Sequence, residues 1–158
     1  MAVLAMVVLV TIVHAQGEIE TDRPTEAQSA QTLSKGSIQA EIGFRREQEV
    51  DEAYTLRHPE FLLRIGILNK LEFRLQSSFE TEHIQTSSHG IKPVEFGIKA
   101  NVFQSKDSSF KASLYSHLGI PGLASEVFKP EHTFYRVRFL FENELTEKLK
   151  LNYNIGRE

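Results

Sequence analysis

Alternation of apolar and polar residues with a period of two constrains this chain more than any other feature. Ile38, Ala40, Ile42 and Phe44 are separated by Gln39, Glu41 and Gly43. The same rhythm returns over residues 61–68, 71–79, 94–102, 110–119, 135–142 and 149–156. Strict alternation sends successive side chains to opposite faces of an extended strand. No stretch of comparable length after the first residues repeats at i, i+3 and i+4, so helices are not expected there. The reading is an all-β chain of about seven strands in hairpin order.

The connections alternate as well. Residues 46–54, 80–92 and 121–132 read as long polar loops, while Asn69-Lys70, 104–109 and 143–148 read as shorter links. An up-and-down antiparallel barrel puts every second connection at the same end. Long loops at one end and short turns at the other are the pattern of an outer-membrane β-barrel, whose long loops face the cell exterior.

Alternation by itself does not say which face meets water. A soluble extracytoplasmic barrel turns its apolar face inward and binds a small hydrophobic ligand there. A membrane barrel turns it outward. Three features favour the second architecture. The apolar faces carry no charge on any strand. The polar faces carry Gly43, Gly66, Gly97, Gly119 and Gly156, which weaken a strand unless space is needed for long Arg, Glu and Lys side chains. Aromatic residues such as Phe44, Phe61, Phe79, Phe110, Tyr135 and Phe141 fall near strand ends, where interfacial girdles form.

The first residues, MAVLAMVVLVTIV, form an apolar run shorter than the ~20 residues of a spanning helix. His14-Ala15 and then Gln16-Gly17-Glu18 follow, so residues 1–15 read as an export signal cut after Ala15, although no Lys or Arg precedes the run. Residues 16–35 read as an extended lead-in, and 36–158 as an antiparallel barrel in the outer membrane. The balance is mildly acidic, with net charge -3 and pI ≈ 6.1, which argues against nucleic acid as a partner. The chain has no cysteine, which removes disulfides, thiolate metal sites and thiol nucleophiles.

The run Ile19-Glu20-Thr21-Asp22-Arg23-Pro24-Thr25-Glu26 and the strand Gly36-Ser37-Ile38-Gln39-Ala40-Glu41-Ile42-Gly43-Phe44 resemble a bacterial outer-membrane transporter family named after the meta pathway of phenol degradation. Pro59-Glu60-Phe61-Leu62-Leu63-Arg64-Ile65-Gly66-Ile67, Leu71-Glu72-Phe73-Arg74, Gly97-Ile98-Lys99-Ala100 and His117-Leu118-Gly119-Ile120-Pro121-Gly122 are similar to later family segments. The resemblance implies a transport role, with hydrophobic or aromatic compounds as solutes. The partners expected are outer-membrane lipid, a small solute and, during biogenesis, the barrel-assembly machinery.

Candidate lumen-lining residues are Glu41, Arg64, Glu72, Arg74, Lys99, Arg136, Arg138 and Glu142. Charges inside a pore set its field, and in a small barrel they also pair and close it. Their mixed signs favour neither an anion-selective nor a cation-selective pore. Asp22, Arg23 and Pro24 precede the first strand at the periplasmic mouth and read either as a latch entering the lumen or as a solvated tether. No catalytic, cofactor-binding or metal residue is expected. Ser116 and His117 are neighbours on a strand and face opposite sides, which prevents a dyad. His83 and His89 with Glu80 and Glu82 follow no metal-ligand spacing. Single-chain bacterial outer-membrane barrels have an even number of strands, 8 or more, so a count of seven leads to an incomplete barrel with two unpaired edges.

Overall fold

The computed structural model describes residues 21–22, 28–48, 53–84, 86–146 and 148–157. The segment read as an export signal lies outside them, as do Arg23 and Pro24. Among the described residues eight strands form one antiparallel sheet: β1 (Ile38–Gln48), β2 (Tyr54–Leu68), β3 (Leu71–His83), β4 (Ser87–Ile91), β5 (Val94–Gln104), β6 (Phe110–Ile120), β7 (Phe134–Thr146) and β8 (Leu149–Arg157). Neighbours in sequence are neighbours in the sheet, in the order β1-β2-β3-β5-β6-β7-β8, with β4 beside the far end of β3. The sheet curls into an open half-barrel, and among the described residues no pairing joins β1 to β8.

β4 and β5 are in effect one long strand. Phe79 pairs with Ile91 and Gln76 with Glu95, a slip of one residue that is absorbed at Lys92-Pro93. Pro93 lacks an N–H and is tolerated where the ladder breaks. Lys92 N donates to Ser78 O across the same point at 2.8 Å.

This corrects two of the predicted loops. β1 runs on to Gln48, and residues 80–91 are largely an extension of the β3–β4 hairpin. The physical reason is that hydropathy alternates only where one face is apolar. Glu80, Thr81, Glu82 and His83 present polar groups to both sides, yet their backbone still pairs with 87–90. The third predicted long connection keeps its character and contains two short 3-10 turns, Pro121–Leu123 and Glu126–Phe128.

The polarity of the half-barrel is the reverse of a soluble one. On the convex face Ile38, Ile42, Phe44, Ile98, Leu118, Phe139 and Ile155 are exposed. On the concave face Arg64, Glu72, Arg74, Lys99, His117 and Glu142 are buried. Among the described residues the buried apolar cluster is small: Ala30, Tyr115 and Leu140. Much of what fills the concavity is ionic rather than hydrocarbon.

Candidate functional site

The lead-in segment and the strand charges meet on the concave face. After Ala30, itself fully buried, the chain descends past the Asn69-Lys70 turn, where Lys35 N donates to Asn69 Oδ1 at 3.3 Å. Gly36 N donates to Gly66 O at 2.8 Å, and Gly66 N donates to Ser37 O at 2.9 Å. A Cβ at Gly66 would collide with the carbonyl of Ser34. The glycine therefore makes room for backbone, not for the long charged side chains expected from the sequence. Gly97 and Gly119 likewise leave space for the rings of His117 and Phe134.

Asp22 is the hub of the deepest network. Its Oδ2 accepts from Arg74 Nη1 at 2.6 Å and Lys99 Nζ at 3.2 Å, with Arg64 Nη1 at 3.7 Å. Its Oδ1 accepts from the backbone N–H of Ser29 at 3.1 Å, and its own N–H donates to Glu41 Oε2 at 2.9 Å. Burial pushes the Asp22 carboxyl up, but Lys99, Arg74 and Arg64 outweigh it and hold the group well below the usual carboxylate range. Glu72 closes the network. Its Oε1 accepts from Arg64 Nε at 3.1 Å and Arg74 Nη1 at 3.0 Å, while its Oε2 accepts from Arg64 Nη2 at 2.9 Å and Leu33 N at 2.8 Å. Arg64 Nη1 also reaches Glu41 Oε1 at 3.3 Å. The Arg74 guanidinium stands 4.9 Å from the centre of the Tyr115 ring.

So Glu41, Arg64, Glu72, Arg74 and Lys99 come together around Asp22. Glu142 sits apart, accepting from Lys111 Nζ at 3.0 Å and Gln31 Nε2 at 3.1 Å. Arg136 and Arg138 lie higher on β7, half-buried. Arg136 Nη1 donates to both oxygens of Glu95 at 3.0 Å. Glu95 also accepts from Gln76 Nε2 at 2.9 Å and contacts His117 Nδ1 at 3.1 Å, which itself is 3.0 Å from the Tyr115 hydroxyl. Ser116 faces the convex side, away from His117.

Beyond this level the concavity opens into a chamber of about 380 Å³. Asp22, Gln28 and Tyr115 line it together with Glu95, Arg136 and Arg138, and Arg45, Arg57, Glu60, Glu80 and Lys92 line its outer part. Sequence reasoning missed Glu60 and Glu80. Both obey the parity of the faces beside them, Glu60 with Leu62 and Arg64, and Glu80 with Glu72, Arg74 and Gln76. Extending the alternation by one or two pairs finds them. What hid them was Pro59 at a register shift between Arg57 and Glu60, and a polar stretch read as loop.

The connection between β6 and β7 packs against the mouth. Ser125 N donates to Ile91 O at 3.0 Å, and Ile91 N donates to Ser125 Oγ at 2.9 Å. Lys92 Nζ stands 4.8 Å from the centre of the Phe128 ring. Gly90 gives Ser125 and Phe128 their seat, since a Cβ there would strike the Ser125 side chain. Among the described residues no group of His, Cys, Asp or Glu is arranged to hold a metal ion.

The sequence matches the family described as "Putative MetA-pathway of phenol degradation" over residues 21–157. The chain belongs to that family. The match begins at the residue before Asp22, so the lead-in segment is part of the family pattern together with the strands. The family description names a degradation pathway and not a catalytic activity. No curated protein and no solved structure matches the chain.

Proposed function

We propose that this chain forms the wall of an outer-membrane β-barrel that passes or binds small solutes, with the segment around Asp22 as an internal plug. The observation that carries the reading is the inverted polarity of the half-barrel. Arg64, Arg74 and Lys99 are buried on the concave face, while Ile42, Phe44 and Ile98 are exposed on the convex one. Exposed apolar residues spread over a whole sheet face are costly in water and favoured in a lipid bilayer. A soluble barrel that binds a hydrophobic ligand needs the opposite arrangement. The family description supports a solute drawn from aromatic catabolism.

Membrane fractionation with heat-modifiable gel mobility tests the barrel, and conductance in planar bilayers tests the channel. Deleting residues 21–24 raises conductance if Asp22 anchors a plug; unchanged conductance leaves the segment a tether. An epitope tag at Ser87-Ser88 is expected to be accessible on intact cells, and one at Asp107-Ser108 only after permeabilisation. The reverse labelling overturns the topology.

A further inference from the structure

Building on that solute-binding reading, we propose that the chamber on the concave face is a binding site for small carboxylate anions. Counted from the sequence, the interior charges are mixed and favour neither sign. Their exposure is not mixed. In the Arg57–Glu80 pair the arginine side chain is 28% exposed and the glutamate 2%. Lys92, the second partner of Glu80, is 37% exposed. The Arg136–Glu95 pair shows the same order, 30% against 11%. The carboxylates lie against the wall, and the cations form the layer that a solute touches.

The asymmetry has a chemical basis. A carboxylate is short and is satisfied by donors at the wall, whereas Arg and Lys carry their charge on long stems that reach into the opening. Arg57 commits its Nε to Glu80 and its Nη1 to Glu47, and a guanidinium offers five N–H donors in all. Glu47 is the more exposed partner in its pair, but it does not line the chamber. Asp22 lines the floor with its side chain fully buried beneath three cations.

The lining also bears on what else such a solute carries. A volume of about 380 Å³ falls within the range of small-molecule sites. Such sites are usually mostly apolar. Here Pro93 and Tyr115 are the apolar or aromatic members of a lining otherwise made of charged, amide and hydroxyl side chains. A neutral aromatic would gain little against that wall and would leave cations without new partners. A carboxylate meets the outer cations directly.

The experiment compares three probes with the same ring and different charge. Benzoate, benzyl alcohol and benzylamine are titrated by calorimetry into the folded full chain in detergent at low salt, with inorganic phosphate as a fourth probe. The proposal expects benzoate to bind at least about tenfold more tightly than the alcohol or the amine. Lys92→Gln is expected to weaken benzoate about threefold or more, and Lys92→Arg to retain it. Arg136→Gln repeats the test on the other wall, with heat-modifiable mobility confirming that each variant folds. Equal or tighter binding of benzyl alcohol, preference for benzylamine, phosphate binding without benzoate binding, or no binding of any probe overturns the proposal. Conductance is read separately. A conducting protein that ignores benzoate sinks this site alone, and benzoate binding without conductance sinks the channel reading alone.

Discussion

The two halves of the concave face solve the same electrostatic problem in different ways. Around Asp22, the lead-in covers the strands and each charge of the network is buried. Around the chamber, acids of the same kind are buried but their cations remain 19% to 37% exposed. The first arrangement is rigid and depends on every member, because a buried ion that loses its partner retains its full desolvation cost. The second tolerates loss of one cation, since Glu80 keeps Lys92 as a second partner when Arg57 is removed. The difference separates a fully buried ionic network from one whose cations water reaches.

The largest effect is therefore expected in the buried network around Asp22. Asp22→Asn leaves Arg64, Arg74 and Lys99 short of one negative charge and is expected to cost about 3–5 kcal/mol in chemical unfolding. Arg57→Gln at the chamber, on a partly exposed pair, is expected to cost about 1 kcal/mol. Equal losses from the two would erase the distinction between the halves.

Steric fit offers a second, smaller contrast. Gly66→Ala forces a Cβ into the Ser34 carbonyl and is expected to cost about 1–3 kcal/mol. Gly43→Ala meets Glu60 only at ordinary contact distance, 3.7 Å, and is expected to be tolerated. Limited proteolysis of the lead-in reads both variants. Early cleavage in Gly66→Ala with native protection in Gly43→Ala is the expected pair of results.

Acid gives the mildest probe. Because the folded Asp22 carboxyl is held below its unfolded value, its stabilising contribution is complete above the unfolded pKa of about 3.9 and declines as pH falls below it. Protection of the lead-in is expected to stay constant from about pH 7 to about pH 5 and to decline below about pH 4. Release near neutral pH would mean that Asp22 is not the group that holds the segment.

Much of this was legible in the sequence, for identifiable reasons. Period-two alternation locates the strands and sorts their faces, so Glu41, Arg64, Glu72, Arg74 and Lys99 fall together on the polar faces by sequence alone. Asp22 stood out as a charged residue placed just before the first strand. The strand extensions were not legible, because Glu80 to His83 are polar on both sides and backbone pairing leaves no hydropathy signal. The exposure order within each ion pair was also hidden. Composition counts charges, whereas chain length and wall geometry decide which of them face the opening. The role of Gly66 required knowing that the lead-in folds back across β2, a contact between residues 34 and 66 that no local pattern encodes.

On the proposed reading the apolar face of the sheet meets lipid and the charged face does not. Since the chain has no cysteine, single cysteines can be placed and labelled without a background. A fluorophore at Ile98 on the convex face and another at Gln76 on the concave face are compared in vesicles of brominated phospholipid. Strong quenching at position 98 and little at position 76 are expected. Equal quenching at both, or quenching at position 76 alone, would contradict it.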